Sequence, residues 1–246
     1  VAAPAVSEHQ AFAGFLDKWR VRWPEWRVAE VFVPASQREI AAAWFALQQE
    51  LTDAAWAGSD PRPGEAKLAW WAEELQGWSQ GRRRHPLGMA LQRLPAPWLH
   101  LAATLSTLLA SREPASGWEQ ATGALESFAQ SAAGVSDTLF AADPQTPTAC
   151  VAAGLLAQQV LLRGDAAAPL RTRAQLGDAI AEHAAARAWA QELVQRWPAT
   201  GPDSPPERIF EALLRGRLRR VAAGGAFSQP LPRLVALWTA WCAARG

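Results

Sequence analysis

At 246 residues the chain is longer than a typical domain of ~100–150 residues, yet within the range of one large helical unit. Half of its residues are hydrophobic, which allows a large core, and a formal net charge of +1 argues against nucleic-acid binding through bulk electrostatics. Fourteen Trp, eight Phe and no Tyr exclude any chemistry that needs a phenol.

Helical periodicity runs through the chain, and Ala and Leu outnumber the β-branched residues, which favours helix on side-chain entropy grounds. Ile40, Trp44, Leu47 and Leu51 mark one face of a helix over 36–56, with Ser36 as N-cap and Glu39 completing a capping box. Gly58 to Pro61 stops it. Leu68, Trp71, Leu75 and Trp78 stripe the next helix, which ends at Gly81 before the basic turn Arg82-Arg83-Arg84. Pro86 starts a short helix to about 94, and Pro97 starts another to about 112. Leu125, Phe128, Ala132, Val135 and Leu139 stripe a helix that Asp143-Pro144 and Pro147 break. A helix over 148–162 follows, then a break from Gly164 to Pro169. Leu176, Ile180, Ala184, Arg187, Ala190, Val194 and Trp197 predict one long helix, closed by the prolines between 198 and 206. Two helices, 206–222 and 231–245, complete the chain; the second carries Leu234, Trp238, Trp241 and Arg245 on one side.

No strand pattern or internal repeat is visible, so the expectation is all-α: one domain over 1–246, with 1–35 as an N-terminal extension packed on it. The apolar stretches 98–110 and 151–162 are interrupted by polar residues and fall short of the ~20 residues a membrane span needs. Cys150 and Cys242 have no metal or redox spacing and read as buried thiols of a reducing compartment. His85, His100 and His183 lack partners at ligand spacing and read as structural. The arginine turn 82–84 and the basic face of Arg208, Arg215 and Arg219 read as solvated, and the tryptophans as mostly core.

Several segments, in this order, resemble the squalene/phytoene synthase family. They are Lys67-Leu68-Ala69-Trp70-Trp71-Ala72-Glu73-Glu74-Leu75 with His85-Pro86-Leu87 after it, then Phe128 to Gly134, then Leu161-Leu162-Arg163, and finally Leu237-Trp238-Thr239-Ala240-Trp241. The similarity spans about 36–245. It implies an isoprenoid-synthase-like helical bundle around a central cavity. It also implies two aspartate-rich helical motifs, whose i and i+4 carboxylates share a face and hold Mg²⁺ ions against a prenyl diphosphate.

Those motifs are degraded here. In the first, Gln49 stands where the family has an aspartate, while Glu50 and Asp53 keep acidic positions. In the second, Gly164 follows Arg163 in place of the aspartate, and Ala168 stands four residues on. Asp165 comes one position late, about 100° round a helix. Phe128 replaces one of the family's tyrosines.

The expected ligand-binding residues are therefore Gln49, Glu50, Asp53, Phe128 and Arg163, with Glu50 and Asp53 as a weak, vestigial metal pair and no catalytic residue. The resemblance implies an impaired relative that acts as a binding or assembly factor, or that binds an isoprenoid-like ligand. Some family members look like this, including a mitochondrial factor for respiratory complex I assembly. The alternative is an active prenyl-diphosphate transferase of altered chemistry, and only that reading calls for Mg²⁺. A prenyl diphosphate, another apolar ligand or a protein are the candidate partners, and nucleic acid is not. A cytoplasmic location with peripheral contact to the inner membrane is the expectation.

Overall fold

The computed structural model describes residues 7–142, 146–177 and 181–245. In chain order the helices are α1 (Glu8–Arg22), α2 (Trp26–Ala29), α3 (Arg38–Trp56), α4 (Arg62–Ser79), α5 (Gly88–Leu91), α6 (Trp98–Ala103) and α7 (Leu105–Ala110). They continue with α8 (Trp118–Phe140), α9 (Thr148–Arg163), α10 (Leu170–Leu176), α11 (Ala184–Gln195), α12 (Pro205–Ala222) and α13 (Arg233–Arg245). Three 3₁₀ turns, Glu30–Phe32, Ala35–Gln37 and Gly164–Ala167, join them, and no strand occurs among the described residues. The fold is all-α.

α3 is the central helix. Ala41 to Leu47 are all buried, as are Leu51 and Ala54 to Trp56, and a helix apolar on every side belongs inside a bundle. It packs against α1, α4, α7 and α9, while α8 with α9 and α12 with α11 and α13 form the other main pairs. The α3–α4 junction is close: a Cβ built on Gly64 would lie 2.1 Å from the carbonyl oxygen of Ala54, so only glycine fits there. Ten of the fourteen tryptophans are buried, which bears out the core reading for most of them. Some indole N–H groups find partners across the bundle, as Trp44 Nε1 does at Ser136 Oγ (2.9 Å) and Trp56 Nε1 at Ser111 Oγ (3.0 Å), whereas those of Trp19, Trp26, Trp71 and Trp189 are buried without one.

Three local readings are corrected. Ser36 does not cap α3: residues 35–37 make a 3₁₀ turn in which Gln37 N–H donates to Pro34 O at 2.8 Å, and no side chain caps the helix. The Ser-x-x-Glu start occurs instead at α12, where Ser204 Oγ accepts from Glu207 N–H and donates to the Glu207 carboxylate at 2.7 Å. The helix expected over 97–112 is broken at Thr104 into α6 and α7, with the Thr104 hydroxyl donating back to Leu101 O at 3.0 Å. The long helix expected from Leu176 to Trp197 is two: α10 ends at Leu176 and α11 begins only at Ala184. Of its proposed stripe, Ile180 lies outside the described residues, as do Asp143 and Pro144 of the earlier break.

The N-terminal segment is integral to this packing. Trp19, Trp23 and Trp26 are buried, and Trp26 and Trp19 meet Phe45 of α3 and Phe210 of α12 at ring separations of 5.3 to 6.3 Å. Phe45 and Phe210 themselves stack at 4.4 Å. Aromatic rings thus fill the space between α3 and α12.

Candidate functional site

The last two turns of α3 carry Gln49, Glu50 and Asp53, and helix geometry divides them. Gln49 and Asp53, at i and i+4, share a face and line a cleft of about 360 Å³, together with Gln158 of α9, Arg22 of α1 and Arg217 of α12. That volume reaches the lower end of the ~300–1,000 Å³ typical of small-molecule pockets. Trp23, Trp56 and Leu161 supply apolar wall.

Glu50 points elsewhere. Its two carboxylate oxygens are taken by Lys18 Nζ at 2.7 Å and Lys67 Nζ at 2.6 Å. Burial pushes its carboxyl upward, but the two ammonium groups outweigh that and hold it below the ordinary range. A carboxylate so engaged is a clamp between α1, α3 and α4 rather than a vacant ligand.

Asp53 has the opposite balance. Burial raises its carboxyl above the usual value, against the opposing pull of Arg22, whose guanidinium lies 3.4 Å away. Asp53 Oδ1 and Gln49 Oε1 are both buried without a hydrogen-bond donor. Gln49 Oε1 makes no hydrogen bond, and Asp53 Oδ1 is the atom that faces the Arg22 guanidinium at 3.4 Å.

The second motif region is committed to structure. Gly164 leaves α9 at φ +55°, in the left-handed region where an aspartate is strained, so the turn does not present a helical carboxylate there. Asp165 caps α11, accepting from Ala186 N–H at 2.8 Å and His183 N–H at 3.2 Å. Arg163 donates to Arg112 O at 2.6 Å and does not line the cleft, and Phe128 is fully buried in the core on α8. Of the five expected binding residues, then, the fold brings Gln49 and Asp53 together at the cleft and sends Glu50, Phe128 and Arg163 to other contacts. Mg²⁺ held in the family's manner needs opposed carboxylates. Glu50 is bound by lysines, Asp53 is shared with Arg22 and Asp165 is a cap, so these residues do not fit that clamp. Among the described residues no group of three or more His, Cys, Asp or Glu is arranged around a metal position.

Below the cleft, and sharing Gln158 with it, lies a pocket of about 60 Å³ lined by Phe45, Leu155, Phe210, Cys150, Glu207 and Glu211. It is too small for a prenyl chain by comparison with ordinary ligand pockets of ~300 Å³ and more. Its two acids escaped the sequence reading, although their i, i+4 spacing is the same signal that located Gln49 and Asp53. Burial raises both carboxyls; Glu207 is hydrogen-bonded by Ser204 and Thr146, and Glu211 accepts from Trp197 Nε1 at 2.7 Å. Burial likewise pushes the Cys150 thiol up to about 12, and its Sγ donates to Thr200 O. A thiol pushed that high by burial, beside acids whose carboxyls are raised, is packing chemistry, not nucleophilic chemistry.

Other readings shift in detail. Cys242 is exposed rather than buried. His85 is structural as expected: it sits between Phe15 and Trp71, and its Nδ1 accepts from Leu87 N–H at 3.1 Å. His100 is exposed rather than packed. Arg84 is held by the buried Glu74 at 3.0 Å and Arg83 by Glu8 at 2.9 Å, so the basic turn is partly engaged rather than simply solvated. Arg217, on the same helix as the basic face of Arg208, Arg215 and Arg219, is buried against Glu25, with its Nε donating to Oε1 at 2.7 Å.

Comparison with protein-family models, with curated proteins and with solved structures finds no match to this chain.

Proposed function

We propose that the chain is a squalene/phytoene synthase-like protein that lacks competence for metal-dependent prenyl condensation. In this reading it acts as a binding or assembly protein, taking a ligand with a compact polar or anionic head in the cleft beside Gln49 and Asp53. The observation that carries this reading is the fate of the acids at the two motif positions. Glu50 is saturated by Lys18 and Lys67, and Asp165 is spent on capping α11. Without opposed carboxylates a diphosphate leaving group has no metal clamp, and losing such stabilisation costs orders of magnitude in rate. The cleft still offers an apolar wall, the amide of Gln49 and the Arg22 guanidinium, 3.4 Å from Asp53, while Arg217 at its edge is already bound to Glu25.

The second reading is a prenyl-diphosphate transferase of altered chemistry that uses Glu50 and Asp53, with arginines in place of one metal cluster; Arg22, 3.4 Å from Asp53, is the arginine placed for it. Farnesyl and geranylgeranyl diphosphate, each with and without Mg²⁺, separate the two. The first reading expects a thermal shift that is independent of Mg²⁺, or none, and no C30 or C40 product. A ligand at 100 times its Kd stabilises a fold by ~2.7 kcal/mol, which such an assay resolves. Hydrocarbon formation at ordinary rates, or a Mg²⁺-dependent shift abolished in Asp53→Ala, would overturn the first reading in favour of the second. If no prenyl diphosphate binds, a protein partner becomes the object of search, by pull-down with the intact chain.

A further inference from the structure

α13 is built inside out. Its buried positions are the small residues Ala236 and Ala240, while Leu234 is 81 % exposed, Trp238 65 %, Val235 48 % and Leu237 40 %. A helix on a protein surface in water ordinarily shows the reverse, with its large apolar side chains inward. At 100° per residue Leu234, Trp238 and Trp241 fall on one outward stripe, and the two indoles stack at 4.9 Å. Arg245 extends this stripe at one end, its guanidinium 4.0 Å over the Trp241 ring, and Arg233 is exposed at the other. The 3₁₀ turn Glu30–Phe32 packs on α13 and adds Val31, 56 % exposed.

Charge decides what could cover this face. After Glu211 the sequence contains no Asp or Glu, but Arg215, Arg217, Arg219, Arg220, Arg233 and Arg245. Arg217 is neutralised by Glu25; Arg219, Arg233 and Arg245 are exposed. An apolar ridge with two tryptophans, flanked by arginines, with no acid on α13 itself and with Glu30 beside it paired to Arg20 at 3.3 Å, matches a uniformly negative surface with an apolar layer beneath it. A protein groove would be expected to present charges of both signs to be met, and α13 offers only one sign. Tryptophan favours the boundary between headgroups and acyl chains, and arginine reaches from apolar surface to phosphate. None of the described helices is long and apolar enough to cross a membrane, so the geometry is that of a helix lying in the plane of the interface.

We infer that α13 is a docking surface for an anionic lipid membrane, with Leu234, Leu237, Trp238 and Trp241 entering the interface and Arg233 and Arg245 meeting phosphates. This is independent of the cleft and of any ligand it takes. The test is co-sedimentation of the intact chain with phosphatidylcholine vesicles, with and without phosphatidylglycerol. The wild-type chain binds the anionic vesicles, more weakly as salt is raised, and binds the neutral ones poorly. Trp238→Asp and Leu234→Asp each lower the partition at least about tenfold, as withdrawal of one large apolar side chain from the interface requires. Arg233→Gln and Arg245→Gln each lower it about fivefold. All four side chains are exposed, so circular dichroism should show unchanged folding; Leu234→Ser replaces any variant that fails this control. Equal binding to both vesicle types, binding unaltered in folded Trp238 and Leu234 variants, or absence of vesicle binding overturns the inference. So does a concentration-dependent dimer in sedimentation velocity that Trp238→Asp dissociates while vesicle binding is absent, since the face would then belong to a second copy.

Discussion

Glu50 and Asp53 lie three residues apart on one helix, yet their surroundings assign them opposite tasks. Glu50 is the better acid and the worse ligand, because each of its oxygens already holds a lysine. Glu50→Gln should therefore reduce stability in urea by about 1–2 kcal/mol, a buried charged hydrogen bond discounted because Lys18 and Lys67 are substantially exposed. It should leave any ligand-induced thermal shift intact; a lost shift would return Glu50 to the site. His85 gives a second test at this scale. Burial depresses its pKa from 6.5 to about 4, against the opposing pull of Glu50 and Glu74. A depressed value means that the unfolded chain takes up the proton first. The contribution is full above pH 6.5 and is lost as pH falls toward 4, amounting to roughly 3 kcal/mol. His85→Asn keeps an acceptor for Leu87 N–H without titrating, so its urea midpoint should fall less than wild type over that interval. Asp53, Glu207 and Glu211, whose values are raised, titrate with the opposite sign, but both proteins share them and they cancel in the difference.

Among elements, the least tolerant joint is where α4 departs beside the end of α3. Gly64→Ala puts a methyl against the Ala54 carbonyl, backbone that cannot rotate away, and should cost about 1–3 kcal/mol measured by urea denaturation. Asp165 offers a milder case: Asp165→Ala uncaps α11 and should cost ~0.5–2 kcal/mol, with Asp165→Asn losing less. These joints also explain what the sequence allowed to be read. α4, α9 and α12 are bounded by Pro or Gly, which act through the local backbone, so their ends are legible from neighbours alone, whereas the Ser-x-x-Glu spacing occurs both at Ser36, where no cap forms, and at Ser204, where one does. The interruptions at Thr104, at Gly177 after α10 and at His183 before α11 are not legible, because the apolar spacing continues past them while the backbone leaves the helix. The face shared by Gln49 and Asp53 follows from periodicity. That Glu50 meets Lys18 and that Glu25 meets Arg217 depends on segments brought together only by folding. α13 shows the limit from the other side: its stripe was read correctly, but which side of a helix faces the core is decided by the neighbours it packs on.

At the scale of the molecule, the two ends of the chain are joined by one buried ion pair. Glu25, at the entry to α2, accepts from Arg217 Nε of α12 at 2.7 Å and from Leu231 N–H, in the approach to α13, at 2.7 Å. Arg217 also donates to Arg22 O at 2.8 Å and lies 4.1 Å over the Trp23 ring, so one guanidinium touches both the N-terminal segment and the edge of the cleft. Bringing two charges out of water is expensive, and this pair repays it only because the remaining donors and acceptors are used. Arg217→Met leaves Glu25 buried with a single backbone donor and should cost about 3–5 kcal/mol. Adding Glu25→Gln removes the stranded charge and should recover part of that loss, although neither partner alone is replaceable. The measurement is a double-mutant cycle in urea, and equal stability of Arg217→Met with and without Glu25→Gln would show that the pair is not coupled. Because Leu231 leads directly into α13, the same Arg217→Met variant should increase amide hydrogen exchange in α13 more than in α4, which shares none of these bonds. Exchange rising equally in both helices would mean that the pair supports the whole bundle rather than the placement of its outward-facing helix.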